Sequence, residues 1–329
     1  MSMRALVTGA SGFLGSHLVD RLLADGVVVR ALLRPSSSLR WLRGKPIEIV
    51  GGDVSEPPER LAAAVAGVEL VFHAAGLTKA VDPVRFDAVN RGGTENLLAA
   101  CAARTTPPQR FVLVSSAGAL GPAPAAGAID ESTPPRPVTA YGRSKLAAER
   151  ALVPYRRRLA LTVVRPGAIY GPRDMELLPA FRLARRGLLL RLGRGAHWAN
   201  MGHVVDVARG VVLAGTRPAA AGRDFLIGGE NITQGQVLEA LAAATGCRRA
   251  LRLSLPDGLV RLAAGLSSAV GRLGGQPRIF TWDNADRLLA RSWAFDQSRA
   301  AALLGYRPRW AFAAGARATS RWYRNRGWL

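Results

Sequence analysis

"TGASGFLG", residues 8–15, sets Gly9, Gly12 and Gly15 between a run of β-formers, "RALVTGA" (4–10), and a helical pattern, "LGSHLVDRLLADG" (14–26), that Gly26 stops. A glycine triplet alone carries little weight, but one at a strand-to-helix turn has a physical use. Bare backbone can lie against a pyrophosphate, while the helix N-terminus supplies N–H donors and a positive dipole end. Gly9, Gly12, Phe13, Leu14 and Gly15 are therefore cofactor-binding candidates.

The pattern repeats outward from this loop. "VVVRALLR" (27–34), "IEIVGGD" (47–53), "LVFHAAG" (70–76), "RFVLVSS" (110–116) and "LTVVRPG" (161–167) read as strands, mostly unbroken apolar runs. Such runs belong to a parallel sheet covered on both faces. Helical patterns between them include "GTENLLAACAA" (93–103) and "YGRSKLAAERALV" (141–153). The alternation predicts an α/β fold with a Rossmann-type doubly wound sheet over residues 1–167. A smaller C-terminal α/β substrate domain should occupy residues 168–329, with 204–229 packing back onto the first. "GPAPAAGAIDESTPPRPVTA" (121–140) reads as a loop, and Thr233 as the cap of a helix over 233–245. The stretch 255–275 reads as an amphipathic helix or helix pair, and the tryptophans of the tail, from Trp282 to Trp328, as core packing.

Composition narrows the function classes. At 329 residues, 49% hydrophobic and 21% charged, the chain is globular rather than disordered. No apolar run approaches the ~20 residues of a membrane span, and the N-terminus enters a strand at once, leaving no room for a signal peptide. Cys101 and Cys247 lack metal or redox spacing, and the four histidines show no ligand pattern, so no metal is expected and the location should be cytoplasmic. The net charge of +22 comes without a nucleic-acid-binding motif, so no specific nucleic-acid partner is expected. Basic clusters at Arg156–Arg158, Arg182–Arg194 and Arg317–Arg326 suit a phosphate-bearing substrate or peripheral contact with an anionic membrane.

The end of the second strand discriminates between nicotinamide cofactors. A carboxylate there serves the ribose 2′-hydroxyl of NAD; a cation serves the 2′-phosphate of NADP. The strand closes on Arg34 with no acidic neighbour in sequence, so NADP(H) is favoured over NAD(H).

Among 45 basic residues only Lys45, Lys79 and Lys145 are lysines. Lys145 follows Tyr141 by four residues, so the two share a helix face. A tyrosine of pKa about 10 is a poor base at neutral pH, and a nearby ammonium should lower it. A compact ammonium also donates to ribose hydroxyls more readily than a planar guanidinium. Ser116, closing a buried strand with Ser115, can hold the reacting oxygen of a substrate beside Tyr141. Lys79 follows the fourth strand at the carboxyl edge, where cofactor phosphate or substrate would lie.

With these residues in place the chain resembles the extended short-chain dehydrogenases/reductases, the epimerase/dehydratase superfamily, and most closely the dihydroflavonol reductase and 3β-hydroxysteroid dehydrogenase pattern. The matching pieces run in family order: "TGASGFLG", "GDV" (52–54), "FHAAG" (72–76), "VNRGGTENLL" (89–98), "VSSAGALG" (114–121), "YGRSK" (141–145), "RPGAIYGPR" (165–173) and "GHVVDVARG" (202–210). The resemblance implies that Asp53 and Val54 flank the adenine, that Ala74, Ala75 and Gly76 line the cofactor's centre, and that Pro166 joins the binding set. It implies Tyr141 as acid/base, Ser116 as the residue orienting the substrate oxygen, and Lys145 as the holder of the nicotinamide ribose. Asn90 becomes an internal brace. A homodimer follows from the resemblance too, through helices near 84–103 and 141–156.

One departure bears on substrate: sugar-nucleotide members carry Asn, facing nucleotide phosphates, where this chain has Ala168. The expected reaction is hydride transfer between NADP(H) and a ketone or secondary alcohol of an apolar small molecule. The alternatives are a sugar-nucleotide epimerase/dehydratase using bound NAD and a non-catalytic nucleotide-sensing regulator.

Overall fold

The computed structural model describes residues 3–80, 82–124, 127–247, 249–273 and 282–329. β1 (Arg4–Thr8) turns through the glycine loop into α1 (Phe13–Ala24), followed by β2 (Val28–Leu33), β3 (Ile47–Gly51), α2 (Pro58–Val65) and β4 (Leu70–His73). A short α3 (Val84–Phe86) passes through a π-helical stretch, Asp87–Gly92, into α4 (Gly93–Ala102). Next come β5 (Arg110–Val114), α5 (Ala140–Arg150) and β6 (Leu161–Pro166). The remainder holds β7 (Ala168–Tyr170), α6 (Leu178–Arg185), β8 (Leu188–Leu192), β9 (Trp198–His203), α7 (Val204–Thr216) and β10 (Asp224–Ile227). It ends with β11 (Glu230–Thr233), α8 (Gln234–Thr245), β12 (Leu251–Leu255), α9 (Asp257–Leu273), α10 (Trp282–Leu289), β13 (Ser292–Trp293), α11 (Ser298–Leu304) and α12 (Phe312–Asn325).

Among the described residues seven strands form one sheet in the order β10-β6-β5-β4-β1-β2-β3. Every pairing in it is parallel. Side chains alternate between its faces. Ala5 and Val7 join α1, α7 and α11 in one core, whereas Leu6 points into the other, with α2, α4 and α5. Each predicted strand of the first half ends earlier than its apolar run. The last residues, among them Arg34, Asp53, Ala74–Gly76 and Ser115–Ser116, leave the ladder at the carboxyl edge. That fraying is useful, because ligands of open α/β sheets bind outside those ends.

α7 buries Val207, Val211 and Ala214 against the α1 side, and β10 pairs with β6. The other lobe gathers β7, β9, β11 and β13 into a second sheet, with β8 and β12 as a separate pair. Its core lies between α6, α8 and α12, where Tyr170, Phe181, Phe312 and Tyr323 are buried. Thr233 caps α8 as expected: its hydroxyl accepts from Gln236 N at 3.2 Å while the Gln236 side chain accepts from Thr233 N at 2.8 Å. Arg173, the only non-glycine residue at positive φ (73°) among those described, ties this lobe to α1. Its guanidinium donates to Ser16 at 3.0 Å and Asp20 at 2.7 Å. Trp322 and Trp328 pack with Trp41 beneath it, and Trp310 stacks on His203 at 4.6 Å. The side chain of Trp282, and residues 274–275 of the expected tail helix, lie outside the described residues.

All four histidines are buried, and burial shifts three of them strongly. His73 lies between Thr8 (2.7 Å) and Thr94 (3.0 Å). The Thr94 hydroxyl donates to Asn90 O, so His73 Nε2–H donates to Thr94 and Nδ1 accepts from Thr8. His17 meets Pro172 O at 3.0 Å, and both ring nitrogens of His203 lack a partner. Burial pushes their pKa values down, to about 4 for His17, about 3 for His73 and about 4 for His203. In the unfolded chain they would titrate near 6.5, so between pH 6.5 and 4 the unfolded state binds more protons and stability falls as pH falls. A neutral histidine contributes a slope of up to about 1.4 kcal/mol per pH unit. His203→Phe keeps the stacked ring and sacrifices no hydrogen bond. It should therefore flatten the loss of stability between pH 6 and 5 by about 1 kcal/mol per unit, read from urea melts.

Candidate active site

The glycine loop fits a dinucleotide sterically. Gly9 sits at φ 68°, and a Cβ on it would come within 2.7 Å of the Ala74–Ala75 backbone. A Cβ on Gly15 would meet Gly9 O at 2.0 Å, so α1 can settle onto the loop only without one. Gly12 is exposed and caps α1 with no side-chain acceptor, so the first-turn N–H groups have no capping side chain; Phe13 packs edge-on against His17 and Leu14 against the core. Across the cleft, Ala75 N donates to Thr8 Oγ1 at 3.1 Å, fixing the end of β4. A Cβ on Gly76 would come within 2.8 Å of Asn90 Oδ1 and 3.2 Å of Lys145 Nζ. These residues form a cradle that a dinucleotide fits.

At the β2 and β3 ends the structure adds something the linear sequence hides. Leu33 is in register with Gly51, so Arg34 and Asp53 leave their strands side by side. Arg34 Nη1 lies 3.8 Å from Asp53 Oδ2, with the guanidinium more than half exposed. The acidic neighbour absent from the linear sequence is thus present in space. Asp53 is also held by Ser55 N and Oγ, both at 2.9 Å, and Val54 beside it is buried against α4.

Thr139 begins α5, its Oγ1 accepting from Gly142 N at 3.0 Å. Gly142 lets this first turn press onto the turn after β5, since a Cβ there would lie 2.4 Å from Gly118 O. That approach brings the Ser116 hydroxyl, itself accepting from Gly118 N at 3.0 Å, into hydrogen-bond contact with Tyr141. Phe86 packs edge-on against the Tyr141 ring at 6.1 Å. One turn on, Lys145 is 5% exposed and donates to Val114 O at 2.8 Å. Pro166 ends β6 on the neighbouring strand.

The electrostatics differ from expectation. Burial pushes the Tyr141 phenol above its ordinary pKa, opposed by the Ser116 hydrogen bond and by Arg287; Glu176 adds to the rise. The lowered phenol expected from the ammonium is therefore absent, because the lysine head is turned onto the Val114 carbonyl. Burial also lowers Lys145 to about 8, while Glu149, a further turn along, works to keep it charged.

Glu149 and Arg287 escaped the sequence reading. Glu149 continues the i, i+4 series of Tyr141 and Lys145, which was a usable signal. Arg287 sits on α10, remote in sequence, and only folding brings it near Tyr141. Its Nε is buried without a hydrogen-bond partner. Asn90 is the brace anticipated, bonded to Leu77 N and O and to Ser144 at 2.8–3.1 Å. Lys79 is held by Glu176 at 2.9 Å, and Lys45 by Asp20.

Glu149 anchors this arrangement. It accepts from Ser115 at 2.5 Å and from Arg165 Nε and Nη2 at 3.0 and 2.8 Å. Arg165 reaches on to Asp224. Glu149→Gln leaves the buried Arg165 short of a partner and should lower stability by roughly 3 kcal/mol, read by chemical denaturation.

Residues 5–228 match the NAD-dependent epimerase/dehydratase family. The Caulobacter vibrioides ceramide reductase is 32% identical over 329 aligned positions, covering 98% of this chain and 95% of that one. A Stigmatella aurantiaca ketoreductase of a 4-hydroxy-2-methyl-3-oxo-4-farnesyl-3,4-dihydroquinoline-1-oxide is 32% identical, covering 92% of each. The structure of the Thermus thermophilus UDP-glucose 4-epimerase in complex with NAD superposes with a TM-score of 0.77 at 28% identity, covering 98% of this chain and 99% of that one. With its parallel sheet, glycine loop and Tyr–Lys helix, this chain belongs to the NAD-dependent epimerase/dehydratase family of extended short-chain dehydrogenases/reductases, as an NAD(P)-dependent oxidoreductase.

Proposed function

We propose that the protein transfers hydride between NADP(H) and a ketone or secondary alcohol on an apolar, lipid-like molecule. The observation carrying this reading is the meeting of Ser116, Tyr141 and Lys145 beside the glycine cradle. Bound there, a nicotinamide group supplies or accepts the hydride. Ser116 holds the substrate oxygen, and the Tyr141 O–H delivers its proton as the carbonyl becomes an alcohol. A phenol is protonated at neutral pH and burial raises its pKa further, which suits a proton donor in the reducing direction. Lys145 Nζ, fixed by Val114 O, would donate to the ribose hydroxyls of the cofactor.

Two relatives named as reductases, one of ceramide and one of a farnesyl compound, support the apolar substrate. Exposed Ala168, where sugar-nucleotide members carry Asn, argues against a nucleotide-sugar. Two free thiols, Cys101 buried and Cys247 half-buried, accord with a reducing cytoplasm. We place a homodimer contact on α4 and α5; a monomer mass by light scattering would remove it.

NADPH oxidation against a panel of ketones, aldehydes and nucleotide sugars tests the reading: turnover of ketones supports it, and turnover confined to nucleotide sugars replaces it with the epimerase alternative. Tyr141→Phe should retain cofactor affinity and lose about 10²–10⁴-fold in kcat. Lys145→Arg should also fail, since a planar guanidinium at this buried position cannot reproduce the compact ammonium's bonds to Val114 O and to ribose hydroxyls.

Cofactor preference has its own test. A charge-assisted contact from Arg34 to a 2′-phosphate contributes on the order of 1.5–3 kcal/mol, about ten- to a hundredfold in affinity. Asp53 competes for the same guanidinium, so the lower end is expected. Fluorescence titration should show NADPH binding about tenfold tighter than NADH, and Arg34→Asp should reverse the order. Equal affinities in the wild type would leave Arg34 as a surface ion pair.

A further inference from the structure

Thirteen large apolar side chains are exposed among the described residues, and six of them fall within one twenty-residue segment. They are Leu251 and Leu253 on β12 and Leu259, Leu262, Leu266 and Val270 on α9, each 42–62% exposed. At roughly 100° per residue the four on α9 share a stripe about 80° wide. Val260 and Ala264, on the adjacent stripe, are fully buried. α9 therefore rests on the protein along one apolar stripe and presents a second to solvent. β12 behaves alike: its parallel register sets Leu251, Leu253 and Leu255 beside Leu188, Leu190 and Leu192 of β8. Leu189, on the opposite face, fills the core of this lobe. Exposed apolar side chains on one stripe of a helix, and on the strand that leads into it, mark a contact surface.

Charge identifies the partner. Exposed arginines accompany these elements: Arg249 precedes β12 and Arg252 lies on it, Arg185 and Arg186 precede its partner β8, and Arg194 follows β8 beside Asp257 at the start of α9. Facing them, Glu239 reaches Arg252 only at 3.7 Å, and Asp286 is taken by Arg261 at 2.7 Å. A second copy of this chain would bring its own arginines against these and be repelled. No described helix is long and apolar enough to cross a membrane. Exposed leucines accompanied by exposed arginines instead match a surface of anionic headgroups over acyl chains. We propose that the α9 stripe, extended by the β12 leucines, docks the protein on anionic phospholipid membranes.

The surface is linked to the candidate site through charge. α9 is bound to α10 through Arg261 and Asp286, and α10 carries Arg287, whose positive charge acts on the Tyr141 phenol. Docking through α9 would hold the protein at the lipid phase, where an apolar ketone is dissolved. This use rests on the function proposed above, whereas the docking does not.

Flotation of the full-length protein with phosphatidylcholine vesicles, with and without about 30% phosphatidylglycerol, tests the inference. The wild type should float with the anionic vesicles and be released by high salt. Pure phosphatidylcholine, or the double variant Leu262→Asp/Leu266→Asp, should bind at least about tenfold less. The variant should keep its circular dichroism spectrum and its turnover of a water-soluble ketone. Wild type that stays unbound on anionic vesicles overturns the proposal, as does a variant that floats equally well. A halved mass in the variant by light scattering, without vesicle binding by either protein, would assign the stripe to a second copy. Absence of turnover on every ketone would sink the functional reading and leave the flotation result standing.

Discussion

The chain of charge that runs from buried Glu149 and Arg165 out to half-exposed Asp224 and Arg299 is what the site depends on. Glu149 belongs to the helix of Tyr141 and Lys145, Arg165 to β6 and Asp224 to β10. Arg165 bonds both carboxylates, and Arg299 approaches Asp224 at 3.5 Å and Glu131 at 3.6 Å. Charges removed from water to this degree are tolerated only when each has a partner. The network therefore admits one placement of α5 over the sheet edge. From that placement follow the Ser116–Tyr141 contact and the height of Lys145 above β5. Hydrophobic packing alone, by Ala148 and Leu152, would permit sliding along the helix axis; the fork of Arg165 does not.

The fold was legible because its signals are local. Unbroken apolar runs, a glycine loop at a strand-to-helix turn and a Thr-x-x-Gln cap each specify one element without reference to distant residues. The same locality exposed Tyr141 and Lys145, which one turn of helix separates. What stayed hidden depends on strands meeting in space. Asp53 joins Arg34 only because β2 and β3 pair in a register that aligns their ends, and Arg287 reaches Tyr141 only after the C-terminal lobe folds over the sheet. The tyrosine's electrostatics were misjudged for a similar reason. Sequence spacing put an ammonium on the right helix face, but the carbonyl of Val114, on another element, decides where its head points.

The excess of arginine, which carries no motif, also acquires a physical meaning from the fold. The chain has 23 acidic residues against 45 basic ones, and several of those acids are spent on backbone donors or buried partners. Asp206 accepts from the amides of Arg309 and Trp310, Asp174 from those of Glu176 and Leu177, and Glu230 from that of Phe312. Glu149 and Glu131 face inward. Acids used as internal braces cannot neutralise exposed arginines, so the outer surface is more cationic than composition implies. A field of that sign draws anionic surfaces from about a Debye length, ~8 Å in physiological salt, without selecting how the protein lands. Orientation has to come from a short-range feature confined to one side. The leucine stripe of α9 is such a feature, and it lies on the helix packed against α10, whose Arg287 charge acts on Tyr141.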